Sequence, residues 1–112
     1  MQSGNIFSSI PRGIDQESIE EILSSGNIRI ERIVSKGHTT PSGHWYDQEH
    51  DEWVILLRGS ATLKIEDLSE AISLKPGDYV FIPAHMRHRV DSTDEAEETI
   101  WLAVHYGLRV TK

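Results

Sequence analysis

The chain has 112 residues, a formal charge of −7 at neutral pH and no cysteine. Its length supports one hydrophobic core, and so one domain. The missing thiols exclude disulfides, thiolate metal sites and cysteine nucleophiles. An acidic chain without a basic patch is no nucleic-acid binder. No apolar run exceeds that of Trp53 to Leu57, too short to cross a bilayer. The start, MQSGNIFSSIPRG, lacks the charged and apolar regions of a secretory signal, so the expected location is the cytoplasm.

In chain order, the spacing predicts one short helix over residues 15–26. Asp15 would cap it, Glu17, Glu20 and Glu21 would sit near its positive end, Ile19, Ile22 and Leu23 would share one face, and Gly26 would stop it. The rest of the chain reads as short strands broken by turns. IRIERIV is rich in β-branched residues, and GHTTPSG is a loop. EWVILL runs to Arg58-Gly59, and SATLKIED alternates, with Ala61, Leu63 and Ile65 on one face. AISL leads into the turn at Pro76-Gly77, YVFI stops at Pro83, and ETIWLAVHY closes the series. Such a succession predicts an all-β sandwich or barrel. The expected division is an N-terminal segment with the helix (1–27), a β-barrel (28–106) and a tail (107–112).

Two segments carry more specific patterns. In GDYVFIPAHMRHRV, Gly77 is followed after five residues by Pro83, with His85 two positions on and His88 three further. In WYDQEHDEWVILLRG, Glu52 and Gly59 are separated by six residues, and Tyr46 and Gln48 precede the glutamate. These resemble the two signature motifs of the cupin superfamily. The second motif matches except that His85 stands where the family has glycine. In the first, Tyr46 and Gln48 stand in place of the paired histidines. The resemblance covers roughly residues 30 to 106. It implies a double-stranded β-helix, or jelly-roll barrel, with a site at its mouth.

Alternation places His44, Tyr46 and Gln48 on one side of their segment, and Glu52 on the side of Val54 and Leu56. The turn EHD would bring Gln48 and Glu52 together on neighbouring strands. The resemblance implies that His88 joins them. Gln48, Glu52 and His88 would then hold a divalent ion such as Fe, Mn, Zn or Ni, with Glu52 and Tyr46 as catalytic groups. Tyr46, His44, His50 and His105 would contact the substrate. A glutamine carbonyl is a weaker ligand than imidazole, so a metal-free cavity for a small polar molecule stands as the alternative. His105 shares a face with Trp101 and Ala103, where it either enters the cavity or is a satisfied core histidine. His85 is expected at the rim. Trp53, Ile55 and Leu57 make the second face of their strand apolar too, which implies a covering segment or a homodimer.

Overall fold

The computed structural model describes residues 1–107, so five of the six residues of the expected tail lie outside the described part. Eight strands run through it: β1 (Ser18–Ser25), β2 (Ile28–Ser35), β3 (Asp51–Arg58), β4 (Ala61–Ile65), β5 (Ile72–Leu74), β6 (Tyr79–Ile82), β7 (His88–Thr93) and β8 (Thr99–Tyr106). They form a five-stranded sheet in the order β1-β2-β8-β3-β6 and a three-stranded sheet in the order β5-β4-β7. Every pairing is antiparallel. No strand of the expected series is missing, and β7 is added to it.

The predicted helix is not there, and β1 occupies its place. Ser25 pairs with Ile28 across the two-residue loop Gly26-Asn27, with Gly26 at φ +57°. Glycine first in such a loop is the chemistry of a tight hairpin turn. A β-bulge between Glu21 and Leu23 leaves Ile22 out of register, which turns a period of two into apparent helical spacing. A helix this short is marginal by itself, whereas strand pairing satisfies the backbone of both β1 and the exposed edge of β2.

The two sheets face one another. The inner faces contribute Val54, Leu56, Ile82, Trp101 and Ala103 from the larger sheet and Ala61, Leu63, Ile65 and Leu74 from the smaller. The inner row of β3 is opposed residue for residue by β8: Glu52 by His105, Val54 by Ala103, Leu56 by Trp101. The same alternation turns Arg29, Glu31 and Ile33 of β2 inward, opposite His105, Ala103 and Trp101. Thus the core begins as hydrocarbon and becomes polar toward the end that holds Glu52.

On the outer face, the buried Arg32 clamps the N-terminal segment, donating to the carbonyls of Ile6 at 3.1 Å and Ser8 at 2.6 Å. Phe7 lies 4.9 Å below the guanidinium of Arg58. The N-terminal segment therefore covers part of that face, as an irregular strap rather than a helix.

Two positive-φ positions explain motif residues. Gly59 has φ +88°, and a Cβ there would stand 2.3 Å from Thr99 Oγ1 and 2.7 Å from Thr99 Cα. His85 has φ +66°, a left-handed conformation that favours the glycine it replaces. Its backbone N–H is held by the Gln48 carbonyl at 2.7 Å and its ring by Asp47 at 2.9 Å.

Candidate active site

A cavity of about 630 Å³ opens between the sheets at the polar end of the core. Val54, Leu63, Ile82, Val90 and Trp101 form its apolar wall, and Tyr46, Gln48, Glu52, His88 and His105 are among its polar lining. A second hollow, of about 530 Å³, lies under the N-terminal strap beside Arg32 and Glu20. Those two charges are paired with each other, so the chemistry is concentrated in the first.

Glu52 enters the cavity because β3 alternates and its neighbours on that face, Val54 and Leu56, are core residues. Its side chain is only 10% exposed. Burial raises its carboxyl above the usual range; the nearby His105 and a hydrogen bond from Gln48 act the other way, and Glu31 adds to the rise. His88 opens β7, where the loop of the first motif meets it: Tyr46 and His88 exchange backbone hydrogen bonds of 2.7 and 3.1 Å in an isolated bridge. The ring of His88 is anchored, since its Nδ1–H donates to the Met86 carbonyl at 2.9 Å. Nε2 is therefore the bare nitrogen, and it faces Glu52 Oε1 across 4.0 Å. Burial lowers the His88 pKa, so the ring is neutral at pH 7. Two acceptors thus confront each other with no donor between them.

Tyr46 places its ring 5.6 Å from that of His88. Burial, then the negative charges of Glu17 and Glu52, raise the pKa of its hydroxyl, opposed by a hydrogen bond with Thr40. As a phenol it can orient a bound molecule by hydrogen bond. Gln48 and Glu52 do meet, but through the bend after the Tyr46 bridge rather than on paired strands.

Behind Glu52 runs a chain of ionisable groups from β2 to the loop. Arg29 Nε donates to Glu31 Oε2 at 3.1 Å, and His105 Nε2 lies 2.9 Å from Glu31 Oε1. His105 Nδ1 is 2.8 Å from His50 Nε2. A carboxylate only accepts, so His105 donates from Nε2 to Glu31, while its Nδ1 shares a hydrogen bond with His50. Burial, and next the charge of Arg29, lower the pKa of His50. Both readings of His105 hold together: it lines the cavity and its nitrogens are satisfied.

Of the expected contacts, Tyr46, Gln48, Glu52, His88 and His105 converge on the cavity. His50 reaches it through His105. His44 does not: its side chain is exposed and outside the lining, because the bend that makes its N–H donate to the Pro41 carbonyl turns it off the strand direction. His85, expected at the rim, is exposed and outside the lining, with its backbone N–H on the Gln48 carbonyl. Arg29, Glu31 and Glu17 were not anticipated, nor was His38, which lines the cavity and accepts the backbone N–H of Lys36 at 2.8 Å. A signal for Arg29 and Glu31 was present: both fall at alternate positions of a β-branched run.

For a divalent ion, His88 Nε2 and a Glu52 oxygen are two good donors and the Gln48 carbonyl a weak third. Among the described residues, no three His, Cys, Asp or Glu side chains form a metal-holding group. The donors fit a loosely held ion with open positions, not a closed structural site.

Comparison with known proteins agrees with the architecture. Residues 31–105 match the family model described as the cupin domain. A crystal structure from Ralstonia eutropha JMP134, of a protein proposed to be a mannose-6-phosphate isomerase, superposes with a TM-score of 0.93 at 42% identity, covering 96% of this chain and all (100%) of that one. A Thermus thermophilus protein gives a TM-score of 0.77 at 18% identity over 95% of this chain and 97% of its own. A cupin superfamily protein from Desulfitobacterium hafniense DCB-2 gives 0.70 at 19% identity over 87% and 83%. At such low identity the last two speak for the fold alone. Among curated proteins no sequence match was found.

Proposed function

We propose, from the premise that this chain belongs to the cupin family, that its barrel holds a small organic molecule between Glu52 and His88 and acts on it by proton transfer. The observation that carries this reading is the pair of buried acceptors, His88 Nε2 and Glu52 Oε1, 4.0 Å apart with nothing to donate between them. A hydroxyl or ammonium group of a ligand entering there satisfies both. Burial makes the Glu52 carboxylate a stronger base than an ordinary one, and the neutral ring of His88 is a second acceptor; whichever group takes the ligand's proton returns it as the acid. Tyr46 supplies a further hydroxyl to orient the ligand. The Ralstonia protein's proposed activity, a sugar isomerisation, is one reaction of this proton-transfer class.

The second reading is a divalent ion at Gln48, Glu52 and His88. It is favoured by the anchoring of His88 Nδ1 on the Met86 carbonyl, the arrangement that presents Nε2 to a metal. Such an ion would supply Lewis acidity and open positions for the ligand. In either case the chain works as a cytoplasmic protein. A homodimer is also proposed, through the aromatic outer surface where Trp53 stacks near Tyr79 and Phe81 near Tyr106, with Tyr79 66% and Phe81 50% exposed.

Thermal shift against a metabolite panel, with chelator and with added divalent ions, separates the readings. Stabilisation by an organic compound under chelator, lost in Glu52→Gln and in His88→Gln, supports the first. Stabilisation by an ion alone, lost in the same variants, supports the second. Neither effect in the parent chain refutes both.

A further inference from the structure

The charge inventory of the cavity narrows its occupant, on the reading that the cavity holds an organic molecule. Four carboxylates line it, those of Asp15, Glu17, Glu31 and Glu52, against one guanidinium, Arg29. Acidic side chains therefore outnumber permanent cations in the lining by four to one. Arg29 is also already engaged, by Glu31 Oε2 at 3.1 Å. Glu17 has a neutral donor, the Ser35 hydroxyl at 2.7 Å. Glu52, with its side chain 10% exposed, has among the described residues no basic group within ion-pair distance except His88, at 4.0 Å. The nitrogen that His88 turns toward it is bare, because the other ring nitrogen donates to Met86.

A buried carboxylate calls for a positive or donating partner, and beside Glu52 the protein sets the amide of Gln48 and two imidazoles but no permanent cation. The low-dielectric apolar wall concentrates the field of the carboxylates on whatever enters. A phosphorylated or carboxylated molecule would add negative charge to that field, with no free cation to receive it. An ammonium group meets Glu52 directly, while Val54, Leu63 and Trp101 offer surface for its carbon skeleton.

We infer that the cavity takes a small organic cation, a protonated amine on an apolar body, in preference to any anion. The Glu52 carboxylate receives the ammonium group, and Glu17 and Asp15 draw it in from the mouth.

The test uses four probes of matched size or known charge on the chelator-treated full chain: cyclohexylammonium, cyclohexanol, cyclohexanecarboxylate and mannose 6-phosphate. Binding is followed by nuclear magnetic resonance at the Trp101 indole N–H and the His88 and His105 imidazoles. The expected result is saturable perturbation of these signals by cyclohexylammonium, about tenfold tighter than by cyclohexanol. That advantage shrinks in Glu52→Gln and, as a second variant near the mouth, in Glu17→Gln, and it weakens with salt. Binding of the carboxylate or of mannose 6-phosphate in the cavity as tightly as the amine overturns the charge inference and leaves the small-molecule reading standing. Perturbation by no probe at any cavity signal, or only outside the cavity, overturns both. A preference for the amine that survives both variants unchanged overturns the assignment to these carboxylates.

Discussion

Replacing Gly59 by alanine separates two costs that glycine positions usually mix. The residue closes the β3–β4 turn at φ +88°, and an added Cβ would meet Thr99 Oγ1 at 2.3 Å, Thr99 Cα at 2.7 Å and Thr99 Cβ at 2.9 Å. Thr99 has no room to yield. It is fully buried (0% exposed), and its hydroxyl donates to the Ser60 carbonyl at 3.2 Å. Forcing an L-residue into the left-handed region costs about 1–2 kcal/mol, and overpacking against backbone adds about 1–3 kcal/mol. Together these give a loss of about 2–5 kcal/mol. Gly77 is the control: its φ is +96°, but nothing lies within 4 Å of its Cβ position, so Gly77→Ala carries the conformational cost alone, about 1–2 kcal/mol. Urea denaturation of both variants reads the difference. Equal losses, within about 0.5 kcal/mol, would show that the Thr99 contact relaxes freely and that the close approach is not why this position is glycine.

Glu52→Gln is expected to stabilise the empty protein at neutral pH, on the order of 1 kcal/mol. Since burial raises the Glu52 carboxyl, the stability this group contributes is present at low pH and lost as pH rises through its folded value. The gain should accordingly vanish in melting curves taken at low pH; a variant less stable than the parent at every pH refutes this. The lowered pKa of His88 acts with the opposite sign, because the unfolded chain binds the proton more readily. Stability falls as pH drops below the ordinary value of 6.5, and His88→Asn should flatten that fall in urea titrations. Arg32→Lys removes part of the clamp on the Ile6 and Ser8 carbonyls and should cost about 1–3 kcal/mol, with faster amide hydrogen exchange over residues 6–9. Unchanged exchange there would mean that the strap is held by Phe7 and Arg58 instead.

Much of this architecture was legible where one face of a strand is buried and the other wet. Ala61, Leu63 and Ile65 alternate without interruption, and the spacing of Gly77, Pro83 and His88 carried the family motif. β1 was misread because a bulge shifts its apolar residues out of alternation, and local spacing cannot distinguish that from one turn of helix. In the site, Glu52 was recognisable as an acid at the head of a core strand. Arg29 and Glu31 were passed over because charged residues inside a strand ordinarily mark a solvated face. They face inward here because β2 pairs with β8 in a register that sets them beside His105 and Ala103. That register is a long-range fact, as is the bridge of Tyr46 to His88. His44 illustrates the converse: alternation extrapolated through a bend assigned it to a side it does not take.

An organic molecule held between Glu52 and His88 is what we propose for this barrel. Native mass spectrometry of the chelator-treated protein, incubated with a small-molecule extract and then freed of unbound solutes, tests this most directly. The expected result is a discrete organic adduct on the parent chain that is absent from Glu52→Gln and from His88→Gln. An adduct retained by both variants, or a parent chain that acquires mass only when divalent ions are added, would contradict it.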